Sequence, residues 1–264
     1  MGMISVAENK SGDAVEWFEK AIKANDRSSI HHLWLGNALG EQADHTNKIK
    51  LPFLARRVKG EFDKAVELDP SSVDARHGLI QFYSQAPGVM GGSMDKAKEQ
   101  AREIGKLSPW RGHYETAQLL EREKDSAGAE REYTAAVAAA PDSNATYLYL
   151  ASFLRRQKRY DEALTAYENL LKRRPDANNA HLNIGLTLNQ ANKDPERVER
   201  ETRLWMANAP ADAAKVNLSI AHYLLGQSAE RQTRKDVAKG EYQQALTLNP
   251  KNNEAKKALD ELRP

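Results

Sequence analysis

The 264-residue chain has no cysteine, which excludes disulfides, thiolate metal sites and cysteine nucleophiles. It has no apolar run approaching the ~18 residues that a membrane-spanning helix needs, so no membrane span is expected. Neither sign of charge is in excess: 39 basic residues face 37 acidic ones, a formal net charge of +2. A dedicated nucleic-acid binder carries a clear basic excess, so no nucleic-acid partner is expected. Met1-Gly2-Met3-Ile4 lacks the basic segment and apolar core of a secretory signal. Two compartments therefore stay open, cytoplasmic, or exported if a signal segment precedes this sequence. No serine elbow or metalloprotease motif occurs. The seven histidines form no His-x-x-x-His pair, and no carboxylate stands with them at metal-ligand spacing. The expectation is a non-enzyme without metal or cofactor.

What the chain does have is repetition. Pro70, Pro109, Pro141, Pro175, Pro210 and Pro250 each follow a helix-like run, at intervals of 32 to 40 residues. The preceding text recurs as "FDKAVELDP", "YTAAVAAAP", "YENLLKRRP" and "YQQALTLNP". In the clearest unit, Asn144 to Ala177, Tyr147, Leu150, Ala151 and Leu154 share one helical face, and Ala163, Tyr167 and Leu170 share another. Small Ala151 and Ala163 let the two helices approach, and Pro175 stops the second.

This unit resembles the tetratricopeptide repeat, a 34-residue helix–turn–helix motif. The resemblance lies in a bulky residue, a leucine–small pair and a tyrosine in the first helix, then alanine, aromatic, alanine and a closing proline in the second. Leu35-Gly36 and Ile184-Gly185 fill the leucine–glycine pair elsewhere. Ala14, Phe18 and Ala21, Phe62 and Ala65, Tyr133 and Ala136, and Tyr242 and Ala245 fill the second-helix positions. The resemblance implies an all-α fold, a right-handed superhelical solenoid of antiparallel helix pairs spanning 1–264. Its units are a partial first one at 1–28, then 29–72, 73–111, 112–143, 144–177, 178–212 and 213–252, with a capping helix at 253–264. In that cap, Ala255, Ala258, Leu259 and Leu262 are expected to face inward. At the other end, Ile4, Val6 and the apolar face of the helix at about residues 11–25 lack a partner. That open end suggests a longer natural chain or a homo-oligomer contact.

The units differ by insertion. "EQADHTNKIKLPFLARRVKGEF" is expected to lengthen a second helix, with Pro52 in its first turn. Asp194-Pro195 reads as an N-cap followed by proline at the first helical position. "QAPGVMGGSMDKA", residues 85–97, looks like a phosphate loop, but it has no preceding strand and no lysine–Ser/Thr pair after the last glycine. It reads instead as an insertion at the turn of the third helix pair, with Ser93 capping the next helix. Pro87, Gly88, Val89, Met90, Gly91 and Gly92 form a candidate loop whose tip, Val89-Met90, either fills a gap in the solenoid or touches a partner. With its flanks, this stretch is similar to a group of bacterial, often exported tetratricopeptide proteins that share an Ala-Pro-Gly…Gly-Gly turn.

First helices line the inner groove of such solenoids. The candidate partner-binding residues on that face are Asn37, His77, Gln81, Gln85, Gln118, Arg155, Arg156, Leu182, Leu186, Asn189 and His222. His113 and His181 fall at the bulky packing position, whereas His77 and His222 are assigned to the other face. The clamp that holds a C-terminal carboxylate in some relatives projects onto Leu33, Asn37 and Gly78, and onto Leu148, Ser152 and Asn183. Its lysines are absent. The lining is amide-rich and partly apolar, which suits a peptide. The expected function is a protein–protein interaction scaffold binding a peptide or protein partner along the concave face. The alternatives are a self-assembling structural protein and, behind it, an RNA-binding helical-repeat protein.

Overall fold

The computed structural model describes residues 11–47 and 49–262. Ile4, Val6 and the partial first helix lie outside the described residues. Those described form fourteen α-helices, one 3-10 turn and no strand. The helices are α1 (Ser11–Ala24), α2 (Ser29–Asp44), α3 (Leu51–Leu68), α4 (Val73–Gln85), α5 (Met94–Leu107), α6 (Pro109–Arg122) and α7 (Ser126–Ala139). They continue with α8 (Asn144–Arg156), α9 (Tyr160–Arg173), α10 (Asn179–Gln190), α11 (Pro195–Ala207), α12 (Lys215–Arg231), α13 (Lys235–Leu248) and α14 (Asn253–Glu261). The 3-10 turn is Gly88–Met90. Two compact units result, one ending at Ala139 and holding α1–α7, the other starting at Ala140 and holding α8–α14.

Helix starts follow local chemistry. The Ser93 hydroxyl accepts from the Lys96 amide at 3.4 Å and the Asp194 carboxylate from the Arg197 amide at 2.9 Å, so both expected caps form. Pro52, Pro109 and Pro195 occupy first-turn positions, where a missing N–H costs nothing. Helix ends follow one recurring device. Lys124, Lys158, Asn192 and Thr233 each adopt a left-handed conformation, with φ between 56° and 64°. The next amide then reaches back to close the helix: Asp125 to the Leu120 carbonyl at 2.9 Å, Arg159 to Leu154 at 3.0 Å, Lys193 to Leu188 at 3.0 Å and Arg234 to Ala229 at 2.8 Å. This is the Schellman closure, and it turns each first helix into its second.

The insertions change this pattern locally. α3 has 18 residues where α5, α7 and α9 have 14. α12 has 17 residues against 13 in α8, and it starts a full turn earlier relative to its small residue, Gly226. Between α4 and α5 the Schellman closure is replaced by the 3-10 turn, with Gly91 at φ +100°. Gly92 is required there, because a Cβ on it would sit 1.8 Å from the Ala86 carbonyl oxygen.

In the first unit the core runs through Phe18, Leu35, Leu39, Phe62, Leu79, Phe82, Ile104 and Leu119. In the second, Phe153, Tyr167, Trp205 and Tyr242 are fully or almost fully buried. Burial raises the Tyr167 phenol above its ordinary value. The last helix covers the end of that unit with Ala255 and Ala258 buried and Leu259 and Leu262 packed partly against them, as its spacing predicts.

Candidate functional site

α2, α3, α4 and the segment 86–90 line an open cavity of about 610 Å³ in the first unit. Its floor is the ring of Phe62, carried on α3. Gly36 of α2 and Gly78 of α4 flank that ring. A Cβ on either would lie 2.7 Å or 2.4 Å from it, so the ring occupies the space that two side chains would fill. One turn beyond Gly36 is Gly40, where an added Cβ would meet nothing within 4 Å. The void therefore opens beside Gly40. Leu51, Ala55, Val58, Phe82 and Met90 make the apolar walls. Asn37, Glu41 and Asp44 from α2 and His77, Gln81 and Gln85 from α4 make the polar lining.

The α4 row lies along one helix face, four residues apart, and is joined by hydrogen bonds. The His77 Nδ1 is 2.8 Å from Oε1 of Glu115, a buried residue of α6. The His77 Nε2 is 2.8 Å from the Gln81 amide nitrogen, and the Gln85 amide donates to Gln81 Oε1 at 3.2 Å. The bond to Glu115 raises the His77 pKa above 6.5; burial opposes it, Asp74 adds to it and Arg111 subtracts.

The glycine-rich loop closes one side of the cavity through Pro87 and Met90. Met90 packs against the core, whereas Val89 is 95% exposed. Backbone bonds hold the loop in place: Met90 N–H to the Pro87 carbonyl at 2.8 Å and Ser93 N–H to the Tyr83 carbonyl at 2.8 Å.

Of the residues singled out from sequence, Asn37, His77, Gln81, Gln85, Pro87 and Met90 meet at this cavity. Gly88 and Gly91 are exposed and Gly92 is half-buried, and none of the three lines it. Gln118 is half-buried on α6 and does not line it either. Arg155, Arg156, Leu182, Leu186, Asn189 and His222 belong to the other compact unit. There, Arg155 and Asn189 are half-buried, Arg156 is exposed, Leu186 is half-buried, and Leu182 is buried in the core. The Asn189 backbone carbonyl accepts from Arg231 at 3.1 Å. Glu41, Asp44 and Gly40 were not singled out from the sequence, because nothing local marks a carboxylate as facing a cavity.

His222 does not lie on a face different from that of His113 and His181. All three stand four residues before the small residue of their first helix, Ala117, Gly185 or Gly226, and His32 does the same before Gly36. The extra turn at the start of α12 shifts the register relative to the preceding proline, which explains the misassignment. Each of the four pairs through Nδ1 with a glutamate of its own second helix: His32–Glu61 at 2.6 Å, and His113–Glu132, His181–Glu201 and His222–Glu241 at 2.7 Å. Each glutamate directly precedes Phe62, Tyr133, Thr202 or Tyr242, of which Phe62, Thr202 and Tyr242 pack towards Gly36, Gly185 and Gly226. Where Tyr147 replaces the histidine, Ala166 replaces the glutamate. The recurring Glu before the second-helix aromatic was the available signal. Among the described residues, no three His, Asp or Glu side chains gather as a metal site would need.

Helix pairs closed by a left-handed residue, with a small first-helix residue under a bulky second-helix side chain, define a helical-repeat protein. The tetratricopeptide repeat family model matches residues 114–167, 150–197 and 220–252, and the chain carries tetratricopeptide repeats. That repeat is a protein-interaction scaffold. A search of curated protein sequences returns no match. Among solved structures, the fold is similar to yeast Tom70, at 17% identity and TM-score 0.64, over 97% of this chain and 52% of that one. It is similar to PilF of Pseudomonas aeruginosa, at 17% identity and TM-score 0.56, over 89% and 98%. A tetratricopeptide repeat protein from Parabacteroides merdae matches at 13% identity and TM-score 0.57, over 99% and 95%. No helix among the described residues is long and apolar enough to cross a membrane.

Proposed function

We propose that the protein is a non-catalytic scaffold that holds a peptide segment of a protein partner in the cavity between α2, α3 and α4. The observation that carries this reading is the open volume of about 610 Å³ beside Gly40, floored by an aromatic ring and lined by amides. Its size falls in the roughly 300–1,000 Å³ range of ligand sites. A peptide brings both backbone donors and acceptors, and Asn37, Gln81 and Gln85 offer both in return. No residue set at the cavity supplies a nucleophile with its base, which favours binding over catalysis.

Gly40→Leu tests the reading, because a Cβ at this position meets nothing within 4 Å and the larger side chain takes up room in the void. A displayed random-peptide library is selected on the immobilised full chain, and the enriched peptides are re-measured on the variant. Peptides that bind the wild type and lose the variant, at unchanged circular dichroism, support the groove. Enriched peptides that bind both proteins equally refute it.

A further inference from the structure

We propose that the occupant of this cavity is a cationic peptide segment, with an apolar side chain seated on Phe62, Phe82 and Met90 beside a lysine or arginine held by Glu41 and Asp44. The inference rests on the reading of the cavity as a peptide site and adds the chemical class of the ligand.

Charge complementarity carries it. Glu41 and Asp44 are the only Asp or Glu side chains that line the cavity; no lysine or arginine lines it, and the charge of its one histidine, His77, is matched by Glu115 outside the lining. Three other acids of this unit, Glu61, Glu19 and Glu115, are matched by His32, Arg57 and His77. Among the described residues no cation forms an ion pair with Glu41 or Asp44. The two carboxylates also stand at the wrong end of their helix. Both lie in the last turn of α2, where the peptide dipoles leave partial negative charge and where cations, not anions, are stabilised. That turn contains no basic residue. The last turn of α4 contains none either, and its Gln85 lines the same cavity. Two helix C-termini and two unmatched carboxylates thus add negative potential at one apolar recess. A peptide cation beside an apolar anchor satisfies both features at once, and an acidic segment would be repelled.

The test uses fluorescence anisotropy on the full chain. The probes are short fluorescein-labelled peptides, N-acetylated and C-amidated, in which the residues between leucines are all lysine, all glutamine or all glutamate. The lysine peptide is expected to bind about tenfold tighter than the glutamine peptide, with two partly exposed ion pairs each adding up to several-fold. The glutamate peptide is expected to bind most weakly. The double variant Glu41→Gln/Asp44→Asn should abolish the difference, so that lysine and glutamine peptides bind that variant equally. Equal binding of lysine and glutamine peptides, with both lost in Gly40→Leu, leaves the groove standing and overturns the cationic preference. A lysine preference that survives the double variant also overturns it. Binding of all peptides that survives Gly40→Leu overturns both readings.

Discussion

His77 and Glu115 join two first helices, with Nδ1 of one 2.8 Å from Oε1 of the other, and only the carboxylate is buried. The pairing raises the His77 pKa above its ordinary 6.5. A group whose native pKa is raised stabilises the fold fully below the unfolded value and loses that contribution as pH rises through the native one. Stability from this pair should therefore fall as pH rises above about 6.5 and through the raised native pKa. Glu115→Gln should flatten that part of the curve and bring the His77 titration, read by NMR, down towards 6.5. Neutral His77 accepts from the Gln81 amide at Nε2. Protonation makes Nε2 a donor, so the amides of Gln81 and Gln85 should turn over with the same midpoint.

The four recurring histidine–glutamate pairs should differ in worth according to burial. The His181–Glu201 side chains are 19% and 9% exposed, those of His113–Glu132 39% and 31%. His181→Ala strands a buried carboxylate, although Arg197 and Arg200 stand 3.5 Å from it. It is expected to cost about 1–3 kcal/mol. His113→Ala breaks a solvated pair and should cost less than about 1 kcal/mol. Urea unfolding of both variants measures the difference. Equal costs would mean that packing, not the charge pair, sets the value of the position.

The glycines of the first helix row are not equivalent to those on exposed helix faces. Gly60 and Gly240 lie mid-helix, and an added Cβ at either meets nothing within 4 Å. Gly60→Ala and Gly240→Ala should each stabilise the protein by about 0.5–1 kcal/mol, through backbone entropy alone. Gly78→Ala places a Cβ 2.4 Å from the Phe62 ring and should destabilise by about 1–3 kcal/mol. Thermal unfolding of the three variants reads the contrast in sign.

The loop tip divides between two roles. Met90→Ser should cost about 1–2 kcal/mol, since the side chain is partly buried against the core. Val89→Ser should change stability by less than about 0.5 kcal/mol, because the side chain is 95% exposed. A loss of peptide binding in Val89→Ser at unchanged stability would make the loop part of the docking surface.

Much of this architecture was legible because it is local. The spacing of Ala163, Tyr167 and Leu170 fixes which face of α9 turns inward, and all three are fully buried. Ser93 and Asp194 cap their helices through bonds only three residues long. The last helix follows from the placement of Ala255 and Ala258. The register of His222 was not legible, because the turn added at the start of α12 breaks the count from the proline.

The sequence by itself determined that helices alternate, where prolines and caps bound them, and which residues supply ring and small partner in each pair. Those are properties of i, i+3 and i+4 neighbours, which any stretch of chain carries with it. Tertiary structure alone decided that Met90 turns in while Val89 turns out. It also decided that His32, His113, His181 and His222 meet glutamates, and that Glu41 and Asp44 face an apolar recess with no described cation paired to them. Pairings across 19 to 38 residues depend on which helices lie side by side and at what height. In the first unit that height is set by packing Phe62 between Gly36 and Gly78, a contact between three helices rather than between near neighbours in sequence.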